Sequence, residues 1–222
     1  MIPLPWSPSA LEQFVNCPRQ FHEVRILKSV LDEPGEQQLW GIKVHEAFQK
    51  RQQDKKPLPE ELAMHEPYMQ RIESWGLRRF TEQKVGLDRH RQPCSFLSSA
   101  VWWRGVIDFM NIDGSLARLV DYKSGKPHGK WRQLSQYALW MFAQYPGLNL
   151  VVARFYWTQT MSETRKVWDR KEIPELWAAL IPDLIQYRDA FRDDVWQPRQ
   201  SGLCAGWCQV ENCEFWHEKR RT

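Results

Sequence analysis

Asp108, Asp121 and Lys123 are the residues of this chain whose types and spacing best suit chemistry on an anion. They lie in the stretch 104–126, RGVIDFMNIDGSLARLVDYKSGK, where Asp113-Gly114 separates two runs rich in Val, Ile, Leu and aromatic residues. That pattern predicts a β-hairpin with a two-residue turn. If Asp113-Gly114 is the turn, Ile112 pairs with Ser115 and Asp108 lies opposite Leu119. The period of two then places Asp108, Leu119, Asp121 and Lys123 on one face. Asp108 and Asp121 become diagonal cross-strand neighbours, roughly 7–8 Å apart at the backbone, within reach of one divalent ion. The other face carries Ile107, Phe109, Val120 and Tyr122 and reads as buried.

A second group is made of sulfur. The tail SGLCAGWCQVENCEFWHEKRRT brings Cys204, Cys208 and Cys213 close together, and with Cys17 they make four thiols, a full set for a zinc ion or an iron-sulfur cluster. The chain's 5 cysteines, read without a signal peptide or a long apolar span, are expected to be reduced thiols or metal ligands in a cytoplasmic protein.

Elements must position these groups. With 222 residues, 42% of them hydrophobic and 26% charged, the chain is long enough for a sizeable core and too apolar to be disordered, and one domain is expected over 1–222. The net charge of +4 leans towards a polyanionic partner. Ser9 reads as an N-cap with Glu12 completing a capping box, and Cys17-Pro18 as a break before a second helical piece to Ile26. The spacing predicts a helix over 36–53 with apolar positions 39, 40, 42, 44, 47 and 48, and His45 near its polar edge. Residues 60–80 read as mostly helical, with Leu62, Tyr68, Met69, Ile72, Trp75 and Leu77 buried. Strands follow at 82–87 and 94–103, leading as an antiparallel meander into the hairpin. Residues 129–144 read as a helix with Gln133 and Tyr137 four apart on one face, 149–158 as a strand covered on both sides, 161–169 as a further strand and 174–191 as an amphipathic helix.

An acidic residue ending one apolar strand and Asp-x-Lys ending the next resembles the PD-(D/E)xK nuclease superfamily. Gly41-Ile-Lys-Val-His45 and Gln133-Leu-Ser-Gln-Tyr137 resemble the G-x-x-x-H and Q-x-x-x-Y motifs of its RecB-like branch. The resemblance implies an α/β restriction-endonuclease-like core over about 36–195, with a mixed central sheet flanked by helices. It implies a DNA nuclease, an exonuclease in recombination, repair or end processing, acting on single-stranded DNA or DNA ends beside a helicase or recombination protein. It assigns Mg²⁺ or Mn²⁺ to His45, Asp108, Asp121 and the carbonyl of Tyr122, with Glu82 as a second-tier ligand. Lys123 would orient water or stabilise the transition state, and Gln133 and Tyr137 would position the strand, the phenol stacking on a base. The run Lys126, His128, Lys130 and Arg132 would contact the backbone.

The iron-sulfur branch of these nucleases, which includes AddB-type recombination nucleases and the nucleases of CRISPR adaptation, takes one cysteine from before the core and three from after it. Elements 7–26 and 200–217 would supply Cys17, Cys204, Cys208 and Cys213 to a 4Fe-4S cluster, with Zn²⁺ as the alternative, because C-x3-C-x4-C departs from the usual C-x2-C-x5-C. Two rival readings keep the fold without turnover: a nucleic-acid-binding module using some of the 13 tryptophans for stacking, and a partner subunit of a helicase-nuclease complex.

Overall fold

Six segments rich in β-branched and aromatic residues form one sheet in the order β2-β1-β3-β4-β5-β6: β1 Arg78–Leu87, β2 Pro93–Cys94, β3 Trp103–Asp113, β4 Leu116–Lys123, β5 Leu150–Trp157 and β6 Ser162–Asp169. The structure is a computed structural model and describes residues 5–31, 34–76 and 78–217. Every neighbouring pair of strands is antiparallel except β4 and β5, which are parallel. A parallel pair needs a crossover, supplied here by helix α5, Arg132–Gln144. By its contacts the chain divides into two compact units, Pro34–Trp177 and the pair of segments Met1–Glu33 with Ala178–Thr222.

In the larger unit, helix α3 (Glu36–Gln53), a 3-10 turn (Glu60–His65) and α4 (Glu66–Glu73) cover one sheet face. Val44, Phe48, Leu62, Met69 and Ile72 pack there against Phe109, Val120, Tyr122 and Tyr156. Only Val44, Phe48 and Gln52 of α3 are buried, whereas Leu39, Trp40 and Ile42 are exposed. The helical spacing was correct, but spacing does not tell how far along a helix the covered stripe runs. On the opposite pleat Asp121 meets Gln133 of α5, whose Leu134, Ala138 and Met141 are fully buried.

Three boundaries differ from expectation for local reasons. The helical reading of 60–80 ends at Glu73. Gly76, at φ +145°, leads out of it, and Phe80 belongs to β1. Leu77 lies outside the described residues. The strand expected over 94–103 is only Pro93–Cys94, because Ser95 Oγ and Ser98 Oγ accept the N–H groups of Leu97 and Ala100 and turn the chain locally instead. Helix α5 begins at Arg132 rather than at 129, leaving 124–131 as an irregular strap.

In the smaller unit Ser7, not Ser9, caps α1 (Pro8–Asn16): Ser7 Oγ accepts Ala10 N–H at 3.2 Å, and Pro8 takes the first helical position, where its missing N–H is harmless. Cys17 ends α1 and caps α2 (Pro18–Phe21), which continues as a π-helical turn, His22–Leu27. Phe14 and Phe21 meet Tyr187 of α6 (Ile173–Asp193) edge-on at 5.0 and 5.3 Å. Among the described residues no helix is long and apolar enough to cross a membrane.

One glycine fixes the seat of α5. A Cβ built on Gly105 would meet Tyr137 Cε1 at 2.6 Å, so the phenol ring occupies the space that any other residue there would fill. Gly105→Ala is expected to destabilise the protein by about 1–3 kcal/mol through overpacking. At roughly 2–4 °C per kcal/mol for a chain of this size, scanning calorimetry should record a melting temperature several degrees lower.

Candidate active site

The β3–β4 ladder runs from Asp113↔Leu116 to Phe109↔Val120 and stops there. Past that point Asp121, Tyr122 and Lys123 pair only with β5, opposite Phe155, Tyr156 and Trp157. The peptide groups of Tyr122 therefore face a gap on the β3 side. Asp108 Oδ2 accepts Tyr122 N–H at 2.8 Å, and His45 Nε2 sits 2.9 Å from the Tyr122 carbonyl. The β1–β3 ladder also skips a step here. It passes from Gln83↔Ile107 to Thr81↔Phe109, leaving Glu82 beside Asp108 with its backbone in the left-handed region at φ +51°. Holding a non-glycine there is strained by roughly 1–2 kcal/mol. The result is a group in which ligand atoms of His45, Glu82 and Asp108 all lie within 4.8 Å of one another.

The hairpin register corrects the expected one. The turn is Gly114-Ser115, with Gly114 at φ +57° as the first central residue, and Asp113 pairs with Leu116. Moving a two-residue turn by one position shifts the pairing by two, so every side chain keeps its face. Carried one step further, this register sets Asp108 directly across from Asp121 rather than diagonal to it.

Charge in the site is concentrated and poorly hydrated. Burial, and then the neighbouring Asp121, hold the Asp108 carboxyl well above the usual carboxylate range, with the Tyr122 N–H pulling the other way. Burial and Asp121 also raise Glu82. Burial lowers His45, outweighing Asp121 and the Tyr122 carbonyl, so its imidazole stays neutral with a lone pair free for a metal. Asp121 Oδ2 lies 2.7 Å from Lys123 Nζ. The Gln133 amide bridges both: Nε2 donates to Asp121 Oδ1 at 2.6 Å, and Oε1 accepts from Lys123 Nζ at 2.9 Å. Three carboxylates around one neutral imidazole fit a hard divalent cation, which would relieve their mutual repulsion.

Of the residues singled out in the sequence, the structure brings together His45, Glu82, Asp108, Asp121, the Tyr122 backbone, Lys123 and Gln133. Tyr137 is beside them but buried, at 4% exposure against Gly105 and Trp103, with its hydroxyl 3.5 Å from Gln133 Nε2. Stacking of this phenol on a base is therefore corrected: it supports Gln133 from behind. Two glycines make close approaches here, Gly105 unmarked in the sequence and Gly41 known there only as the start of Gly41-Ile-Lys-Val-His45. Gly105 makes room for Tyr137. A Cβ at Gly41 would come 2.9 Å from Ser124 Oγ, so the glycine one turn before His45 lets α3 approach the end of β4. Nothing in the sequence signals either contact.

In the smaller unit Cys17, Cys204, Cys208 and Cys213 line one cavity. The N–H groups of Gln20 and Arg199 point at Cys17 Sγ, and that of Ser201 at Cys204 Sγ, each at 3.5 Å. Burial first, and then the three other sulfurs, push the Cys208 thiol up.

These features define a nuclease fold with its acidic centre, and the chain belongs to the PD-(D/E)XK nuclease superfamily, which it matches over residues 5–215. Among solved structures it is similar to a Eubacterium rectale protein named "Putative exonuclease", with a TM-score of 0.53 and 13% identity over 95% of this chain and 86% of that one. It is also similar to SSO0001, with a TM-score of 0.44 and 11% identity over the same shares. At such identities the likeness concerns the fold. No curated protein matches the sequence.

The raised Asp108 carboxyl sets a pH dependence. The folded state binds this proton more tightly than the unfolded chain, where the ordinary value near 3.9 applies. In metal-free protein its contribution is complete below about pH 4 and is lost as pH rises towards the folded-state value. Asp108→Asn keeps an oxygen for Tyr122 N–H and removes the buried charge. It is expected to raise the melting temperature of metal-free protein at neutral pH by a few degrees and to flatten its decline with pH, both read by thermal unfolding in EDTA.

Proposed function

We propose that the chain is a divalent-metal-dependent nuclease that hydrolyses phosphodiester bonds in DNA, acting as an exonuclease on single strands or ends. The observation that carries this reading is the convergence of His45, Glu82 and Asp108 where the β3–β4 ladder parts, with Asp121 and Lys123 alongside. Mg²⁺ or Mn²⁺ held by His45, Glu82, Asp108, Asp121 and the Tyr122 carbonyl would supply Lewis-acid neutralisation of the phosphate and activation of the attacking water. The protein's own part is positioning. Asp108 is held by Tyr122 N–H, and His45 presents a neutral ring. Gln133 keeps the Lys123 ammonium beside Asp121, where its charge stabilises that building on the phosphate oxygens. Exposed Lys126 and Lys130, on either side of His128 in the strap, supply positive charge for the DNA backbone.

We further propose that Cys17, Cys204, Cys208 and Cys213 hold an iron-sulfur cluster rather than zinc. Their shared cavity and the N–H groups aimed at two of the sulfurs support this. Among the described residues the four thiols do not form a group of three ligand atoms within 4.8 Å, so the cavity they share, and not a preformed ligand set, carries this proposal.

Asp121→Ala and Lys123→Ala are each expected to lower Mg²⁺- or Mn²⁺-dependent cleavage by about 10²–10³-fold or more with the fold intact. Gel analysis of end-labelled linear and circular DNA measures this and separates exonuclease from endonuclease action. Cleavage by Asp121→Ala at the wild-type rate would remove it as a ligand. His45→Ala should raise the metal concentration required by about tenfold or more; a loss of stability alone would make it a packing residue. Anaerobically purified protein should be brown, and Cys208→Ser colourless. A colourless wild type carrying one zinc per chain reverses the choice of metal.

A further inference from the structure

The pleat that carries Asp121 and Lys123 continues into aromatic rings. In the parallel β4–β5 register Asp121 lies opposite Phe155 and Lys123 opposite Trp157, and the Lys123 ammonium is 5.7 Å from the centre of the Phe155 ring. Both rings are 1% exposed. The strap that follows Lys123 folds over them. His128 meets Trp157 edge-on at 4.8 Å and Phe155 at 5.4 Å, and Trp131 stacks on Phe155 at 5.3 Å with 28° between planes.

The strap is built differently from the rings it covers. Residues 125–130 are all exposed, His128 included. A Cβ at Gly125 or Gly129 would meet nothing within 4 Å, so neither glycine is there for packing. They flank Lys126-Pro127-His128, leaving backbone freedom at both ends of a segment stiffened in its middle. Lys130 N–H donates to His128 Nδ1 at 3.2 Å, a bond internal to the strap that can move with it. Lys126 and Lys130 set a positive charge on either side of the histidine.

We propose that the His128 ring holds, on Phe155 and Trp157, the place taken by one unpaired nucleobase of single-stranded DNA, and that residues 125–130 swing aside to admit it while Trp131 stays on Phe155. This rests on the nuclease reading and adds a subsite for one base, met edge-on by aromatic rings, one strand from Lys123. An imidazole is a flat heteroaromatic ring similar in size to a pyrimidine, so the exchange conserves the aromatic contacts. It adds phosphate contacts for Lys126 and Lys130. An edge-to-face aromatic contact is worth about 0.5–1.5 kcal/mol beyond the area it buries, whichever base supplies the ring. A paired base cannot enter such a nest, so the subsite selects single strands or frayed ends.

The test is a binding measurement in an Asp121→Asn background, which stops turnover and lightens the negative charge of the centre. Fluorescence anisotropy gives Kd for single-stranded oligonucleotides in which one abasic residue is walked along the strand. One position is expected to weaken binding about three- to tenfold, the range that an edge-to-face aromatic contact supplies. Adding His128→Trp fills the nest with a larger ring, and intact and abasic strands should then bind alike at the weakened level. Trp157→Leu should erase the position dependence by removing the platform. If that core variant fails to fold, the exposed His128→Trp still decides. A flat abasic walk, an undiminished penalty in His128→Trp, or no binding of single strands overturns the subsite. Cleavage by the wild type with metal is scored separately, so a flat walk beside normal cleavage overturns the subsite alone, whereas absent cleavage overturns the nuclease reading.

Discussion

The hydrogen bond from Tyr122 N–H to the Asp108 carboxylate is the interaction on which the rest of the site depends. Along a strand, successive peptides face alternate neighbours, so Tyr122 turns both its polar groups towards β3 while Lys123 turns its carbonyl towards β5, where it accepts Thr158 N–H at 2.8 Å. Once β3 and β4 part after Phe109 and Val120, the Tyr122 groups lose their ladder partners, and a buried N–H left unmet costs about 1–3 kcal/mol. Asp108 meets the N–H and His45 the carbonyl. The gap that opens the site is thus closed by two of the proposed metal ligands, and the parallel β5 keeps Asp121 and Lys123 in register beside it.

This arrangement explains which parts of the site could be read from the sequence. Asp108, Asp121 and Lys123 were legible because the alternation of a strand is insensitive to the turn slipping by one residue: Gly114-Ser115 replaced Asp113-Gly114, and the carboxylates stayed on one face while becoming direct neighbours. Glu82 was legible only as a lone acid on a strand. Its left-handed backbone, which belongs to the step where β1 and β3 stop pairing, follows from the shape of the sheet rather than from residues 80–84. The contacts of Gly41, legible only as a motif residue, and of Gly105, not legible at all, stayed hidden because a glycine's sequence neighbours do not reveal which distant side chain, Ser124 or Tyr137, needs its missing Cβ.

The fold was legible to a similar depth. Strand, helix and strand over β4, α5 and β5 followed from composition and length, because a parallel pair requires a crossover. The loop at 95–102 was misread as strand because serines score poorly against a run of Phe, Leu, Val and Trp, yet their hydroxyls captured the backbone N–H groups. Leu39, Trp40 and Ile42 kept helical spacing without being buried. Periodicity reports which residues share a side; what lies against that side is decided elsewhere in the chain.

The protein's own groups hold the centre together by compromise. Lys123 is set directly against the Asp121 carboxylate, while Asp108 and Glu82, raised by burial first and then by Asp121, hold their protons more tightly. The Gln133 amide limits how far this can relax, since it donates to Asp121 and accepts from Lys123 and so fixes their separation whichever group carries the charge. Tyr137, wedged over Gly105, holds Gln133 in turn. The site is therefore rigid where geometry matters, along β4 and α5, and strained where charge matters, at Asp108 and Glu82. A centre stabilised by its own ion pairs would have little to gain from a divalent ion. One that keeps two carboxyls above their ordinary range has more to gain, and under the proposed function an entering divalent ion would displace those protons.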